Sequence, residues 1–427
     1  MPSSDRGDHH GRNFASLACQ TPPRPKSTWC LLRRLIGWIF DYYEVFLLTF
    51  LLIPISKAFG LSAGQSAWLI SASLASIAVG GVGFGLVADR IGRQRVLIIT
   101  VLVYSLATLA RAASPNYETL MILTLIAGLG LGGEYGVGQS LITEVLNPLR
   151  RGWWSGLLYG GAFVAIMLAS LVGGHLLPLV GWRWTFAISG LPVLFALYLR
   201  MRTPESAAWE RAVRHDRVSW RAFASKSFIR PFFICLIAAS FYFWAYYGAT
   251  TLLPKYLVEG GFSMSGASWW IFFTAFAGLL GCVTGAWASD RFGRRITLTA
   301  LMTIATVGAL VLFILGRELL TSPAILVPFF VMYFGSNAAT VFGALFSEVF
   351  PTETRSTGVS SALQIARGLS AIPPLIAAAV VAEHGYAWMF LGSTVLYAAA
   401  ALWAWVFPET RGLDIDTVDA RALRTEA

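Results

Sequence analysis

Charge is scarce in this sequence. Only 13% of its 427 residues are Asp, Glu, Lys or Arg while 56% are hydrophobic, a balance far from that of a water-soluble domain. Cysteine is scarce too. Of the four present, Cys19 lies near the amino end and Cys30, Cys235 and Cys282 lie in or beside apolar runs with no paired spacing, which excludes a disulfide framework and a zinc cluster. The five histidines (His9, His10, His175, His215, His384) are equally scattered, so no metal site is expected. The glycine-rich stretch GLGLGGEYGVG (128–138) follows no strand and contains no Lys, which excludes a phosphate cradle; small residues at that density let helices pack closely in lipid. No nucleophile, metal cluster or phosphate loop can be assembled, so an enzyme is not expected.

What the chain does have is apolar length. Runs able to cross about 30 Å of hydrocarbon recur at 32–58, 67–88, 96–113, 117–144, 152–178, 183–200, 230–258, 266–289, 296–316, 323–347, 357–382 and 387–407. The expectation is an all-α membrane protein with twelve transmembrane helices. Residues 1–28 are polar and cannot bury enough surface to fold alone; they read as a disordered tail, uncleaved because no small-residue cleavage site follows. The net charge of +10 is not a nucleic-acid footprint, because its placement is one-sided. With the amino terminus in the cytoplasm, Lys57, Arg111, Arg183, Lys255 and Arg317 fall outside, Arg367 falls within a run, and all other Lys and Arg fall inside. That positive-inside bias predicts a cell-membrane protein with both termini cytoplasmic.

The chain also repeats itself. A shift of 201 residues lays Ser62 on Ser263, Trp68 on Trp269 and ADRIGRQR (88–95) on SDRFGRRI (289–296); a shift of 204 lays TEVLNPLRRG (143–152) on SEVFPTETRS (347–356) and TPES (203–206) on FPET (407–410). The reading is two pseudo-symmetric six-helix bundles, 29–200 and 230–407, joined by a basic cytoplasmic linker at 201–229 and followed by a cytoplasmic tail at 408–427. Two parallel halves around a central site make a secondary-transporter plan.

These residues carry a resemblance. GLVADRIGRQR, from Gly85, looks like the loop signature of the major facilitator superfamily between helices 2 and 3, and its copy falls between helices 8 and 9. Over about residues 30–412, DYYEVF in the first run, GGEYG (132–136), GWRWTF (181–186) and TPESAAWE (203–210) resemble the proton-coupled organic-acid symporters, especially the sialate and monocarboxylate branch, with aromatic-acid symporters close. Two departures stand out: Thr124 occupies a position where that branch usually carries Arg, and Ala286 replaces the Gly85 of the first signature. The resemblance implies a gating role for Asp89, Arg90, Arg93, Asp290, Arg291 and Arg294, with Glu144, Arg151, Glu348 and Arg355, through salt bridges that hold the outward-facing state. Interfacial charge alone would explain the arginines but not the repeated Asp-Arg-x-Gly-Arg spacing.

A charge at mid-membrane is costly and therefore a functional candidate. Asp41 and Glu44 sit at i and i+3, on one helix face, roughly 9–14 Å in from the run's end at 1.5 Å per residue, and are expected to face a central cavity. Desolvation and mutual repulsion would raise their proton affinity, as a coupling site needs. The repeat places Tyr242 and Ala245 opposite them, so the fold does not demand the acids. Glu134 is either a second proton site or the partner of a hydroxyl on the fifth helix. Arg367 lies about 15 Å into the eleventh run, with Gln364 one turn away and Pro373 and Pro374 breaking the helix beyond; it reads as an anion clamp or as the ion-pair partner of Asp41 or Glu44. Tyr43, Tyr135, Tyr242, Tyr246 and Asn337 are expected to line the substrate site, in company with Tyr42, Trp244 and Tyr247.

The function expected is proton-coupled uptake of a small organic anion by a monomer in lipid, with protons as coupling ion and no other cofactor. The alternatives are a proton-driven exporter, a sugar or organic-cation carrier, or a non-transporting nutrient sensor.

Overall fold

The computed structural model describes residues 25–91, 93–145, 151–201, 224–319, 322–350 and 354–411. Every element among them is helical. In chain order these are α1 (Pro25–Phe59), α2 (Ala63–Ile91), α3 (Arg93–Arg111), α4 (Tyr117–Val145), α5 (Arg151–Leu171), a π turn (Val172–Leu176), α6 (Leu177–Met201), α7 (Lys226–Thr250), α8 (Leu253–Glu259), α9 (Met264–Phe292), α10 (Arg294–Leu319), α11 (Leu326–Gly335), α12 (Ala338–Val349), α13 (Arg355–Leu369), α14 (Ile372–His384) and α15 (Ala387–Trp403). Each of the twelve runs has its helix. The fifth and sixth are separated inside α6 by Gly181, at φ 76°, a left-handed value that favours glycine. α1 starts at Pro25, inside the segment read as tail; the ring's fixed φ suits a first helical turn.

Among the described residues nine helical stretches are apolar and long enough to cross a membrane.

Three runs are each two helices rather than one. The seventh breaks at Thr251–Leu252 between α7 and α8, the tenth at Ser336–Asn337 between α11 and α12, and the eleventh at Ser370–Ala371 between α13 and α14. Pro254, Pro373 and Pro374 open the second pieces of the seventh and eleventh, where the missing N–H costs nothing.

The bundles meet along α5 with α9 and α2 with α13, at points where small residues let backbones approach. A side chain at Gly278 would strike the ring of Phe163, one at Gly156 would strike Ala286 and Thr340, and one at Gly368 would strike Ala78. One apolar core runs through both bundles and includes Tyr42, Phe46, Tyr159, Phe163, Tyr242, Tyr246 and Tyr333. Rings from both halves therefore form the centre of the molecule.

Candidate functional site

At that centre Arg367 occupies the last turn of α13, where the free carbonyls of a half-helix favour a cation. It is 4% exposed, and its guanidinium carbon lies 4.8 Å over the ring of Tyr42 on α1. Tyr42 stacks on Phe46 and meets Tyr159 edge-on, both at 6.4 Å, and Phe46 meets Tyr246 at 6.4 Å. A hydroxyl chain crosses the bundles beside these rings. Tyr159 Oη is 2.9 Å from Tyr242 Oη, Tyr242 donates to the Ser336 carbonyl at 3.1 Å, and Ser336 Oγ is 2.7 Å from Tyr397 Oη. The arrangement offers a fixed positive charge, aromatic faces and hydroxyls that can exchange partners, which suits a small anion carrying a flat apolar body.

Among the described residues, contacts cross between the bundles at both ends. At the end bearing the loop signature, Trp153 N–H donates to Asp290 Oδ2 across the bundles at 3.2 Å, using one of the free donors at the start of α5. Farther in, Gln364 Nε2 donates to the Gly132 carbonyl at 3.0 Å. At the far end Ser268 donates to the Ser170 carbonyl, His175 Nε2 is 3.3 Å from Ser265 Oγ, and the His175 ring stands edge-on to Trp269 at 5.5 Å. Among the described residues a cleft between α1, α2 and α7 has about 10 Å³ of space, enough for about one water. Among the described residues, contacts between the bundles are thus made at both ends.

Several expected site residues sit elsewhere. Glu44 does not face the centre. Two positions beyond Tyr42 it is turned about 200° round α1, where Arg111 binds it at 2.6 Å and Thr108 donates to it at 2.6 Å, both from α3. The pair is sealed, with Arg111 1% and Glu44 3% exposed, and the Phe186 ring lies 5.5 Å from the guanidinium. Tyr43 likewise turns into its own bundle, to Ser189 at 2.7 Å. Asn337 mends the break in the tenth run: its amide donates to the Tyr333 and Phe334 carbonyls at 3.1 and 2.9 Å and its oxygen accepts from Cys282. The free carbonyls of α11 have claimed it. Gln364 is an inter-bundle contact rather than a neighbour of the clamp's open side. Tyr242 and Tyr246 are central, as expected.

In the signature copy, Arg294 reaches Asp290 at 2.7 Å and Glu348 at 3.0 Å, joining α9, α10 and α12. Arg291 lies instead over the Trp287 ring at 5.8 Å. A residue whose part the sequence did not reveal completes the cluster. Glu409 accepts backbone N–H groups from Arg294, Arg295, Thr410 and Arg411 at 2.9–3.1 Å, and Gly293, at φ 103°, has no room for a Cβ against it. The side chains of Asp41, Glu134, Tyr135, Asp89, Arg90, Arg93, Glu144 and Arg151 lie outside the described ones, and Arg355 has its partners within the fold.

Arg111, placed with the outside charges by the distribution of Lys and Arg, is instead buried against Glu44. The signal that identifies it is the repeat: the 201-residue shift lays Thr108 and Arg111 on Ala309 and Leu312, so the polar pair is an addition to one bundle.

The geometry agrees with known proteins. The chain is 30% identical over 354 residues to the putative niacin/nicotinamide transporter NiaP of Bacillus subtilis, covering 82% of this chain and 87% of that one. It is 30% identical over 362 residues to the cis,cis-muconate transport protein of Acinetobacter baylyi, covering 81% and 86%. The solved proton:xylose symporter XylE of E. coli superposes with a TM-score of 0.74 at 18% identity, covering 92% of this chain and 98% of that one. The model of the Major Facilitator Superfamily matches residues 35–372 and 261–425. This chain belongs to the major facilitator superfamily and is a membrane transporter.

Proposed function

We propose that the carrier takes up a small organic anion together with protons, by alternating access, across the cell membrane, with both termini and the loop signatures on the cytoplasmic side and a monomer as the working unit. The observation that carries the reading is Arg367, buried in the last turn of a half-helix and 4.8 Å from a ring of the opposite bundle. A guanidinium there stays charged and offers a carboxylate two parallel donors, and it lies where motion of one bundle against the other would release it. The niacin and muconate relatives are named for small acids or their kin, which supports the same class.

In the cycle proposed, Asp41 takes a proton from outside, the anion binds Arg367, the bundles rock about the centre, and proton and anion leave inside. Coupling is a difference in affinity between two states. Replacing Asp41 by Asn abolishes accumulation driven by a pH gradient.

The test is a thermal-unfolding screen of purified protein against carboxylates, sugars, amino acids and organic cations, beside Arg367→Ala. A ligand at 100 times its dissociation constant adds about 2.7 kcal/mol if it binds only the folded state. Stabilisation by a carboxylate that vanishes in the variant is the expected result. Stabilisation by neutral or cationic compounds that the variant retains would replace this reading with a sugar or cation carrier.

A further inference from the structure

α1 is held from two opposed sides within one and a half turns. Tyr42 and Phe46 face the second bundle, against Arg367 and Tyr246; Glu44 faces its own bundle, against Arg111 and Thr108. Among the described residues, the charged and titratable groups shown beside that carboxylate are Arg111 from α3 and Tyr43 from α1 itself, while α6 offers the Phe186 ring and Ser189. A buried ion pair adds little net stability over well-packed apolar residues, and at the repeated positions the second bundle has Ala245, Ala309 and Leu312 instead, all buried. What such a pair does provide is a unique setting. A helix rotated by one residue, about 100°, would leave both charges unmatched in a low-dielectric interior.

We infer that Arg111 is a positioning residue of the carrier. Together with Glu44 it fixes the rotation of α1, so that Tyr42 and Phe46 meet the second bundle at Arg367 and Tyr246, and Glu44 remains a charged counter-ion through the cycle while the coupling proton is carried elsewhere. The inference rests on the reading of Arg367 and Tyr42 as the substrate site, but its test needs no substrate, so the two can fail separately.

The test uses the full chain in liposomes, with Cys19 and Cys30 replaced by Ser and cysteines introduced as Phe46→Cys and Tyr246→Cys. A short bifunctional thiol reagent reports whether the two positions still face each other, with yields normalised to a control cysteine pair inside the second bundle. Arg111→Leu alone strands a buried charge, so the decisive background is Glu44→Ala/Arg111→Leu, which borrows the second bundle's own residues, and the control pair reports that the variant has folded. The cross-link is expected at constant yield from about pH 5 to about pH 8 with the pair intact, to survive Arg111→Lys, and to be lost in the double variant. An undiminished cross-link in the double variant overturns the positioning role. A yield that changes across that pH range only when the pair is present overturns the fixed counter-ion, and makes Glu44 a proton carrier.

Discussion

The two bundles share a fold and divide its chemistry. In the first, the first and fourth runs are unbroken helices, α1 and α4, and a buried acid is matched by Arg111 and Thr108. In the second, the copies of those runs are both broken, at Thr251–Leu252 and Ser336–Asn337, and the copies of the charged positions are Ala and Leu. The first bundle thus places charge on rigid rods. The second places aromatic rings, free backbone groups and the Arg367 guanidinium at or beside interruptions. One architecture tolerates both, so neither device is required to build six helices; each belongs to what the carrier does at its centre.

Substitutions that erase this difference should cost unequal amounts. The largest effect belongs to Arg111→Leu, which leaves Glu44 charged, buried and alone; stability by thermal unfolding in detergent should fall by about 3–5 kcal/mol, and adding Glu44→Ala should recover most of it. If the single change were as mild as the double, the asymmetry between bundles would be incidental. Next comes Asn337→Ala, which strips the Tyr333 and Phe334 carbonyls of their donor and should cost about 1–3 kcal/mol in the same assay. The matching polar-to-Ala change at Thr124, whose hydroxyl only returns to its own helix at Leu120, should cost less, because α4 has no break to mend. Tyr242→Phe removes the middle of the hydroxyl chain and should cost about 1 kcal/mol, with a rise in the rate at which buried amides near Ser336 exchange hydrogen. Smallest is Arg291→Ala: an exposed cation over Trp287 is worth about 0.5–1 kcal/mol, so transport in vesicles should barely change, whereas Arg294→Ala should impair it by freeing Asp290 and Glu348.

Much of the fold was legible because lipid is a simple solvent. Apolar length gave the twelve helices, and the 201-residue shift gave the two bundles. Pro373 and Pro374 announced the interruption beside Arg367, and the scarcity of buried charge singled out Arg367 itself. The site's finer geometry was less legible, for reasons visible in particular residues. The i, i+3 spacing of Asp41 and Glu44 does not say which way Glu44 points; the rings of Tyr42 and Phe46, seated on the other bundle, turn it to its own. Arg111 stands at the end of its run, where an arginine looks like a loop charge, and its reach inward depends on an acid in another helix. Asn337 reads as a ligand group in an unbroken run; the Gly335–Ser336–Asn337 turn turns it into mortar for backbone carbonyls. Glu409 depends on a turn that precedes it by over a hundred residues, a pairing no local pattern can reveal.

That last distance has a temporal side. Glu409 caps the turn at Gly293–Arg295, yet the ribosome makes it 115 residues after Arg294, a delay on the order of ten seconds at ordinary rates of synthesis. The turn must therefore wait uncapped between its two helices until Glu409 is made. The last strip of sequence after α15 acts as the closing stitch of biogenesis, and a chain stopped just short of it would possess every helix and still leave one end of the carrier unfastened.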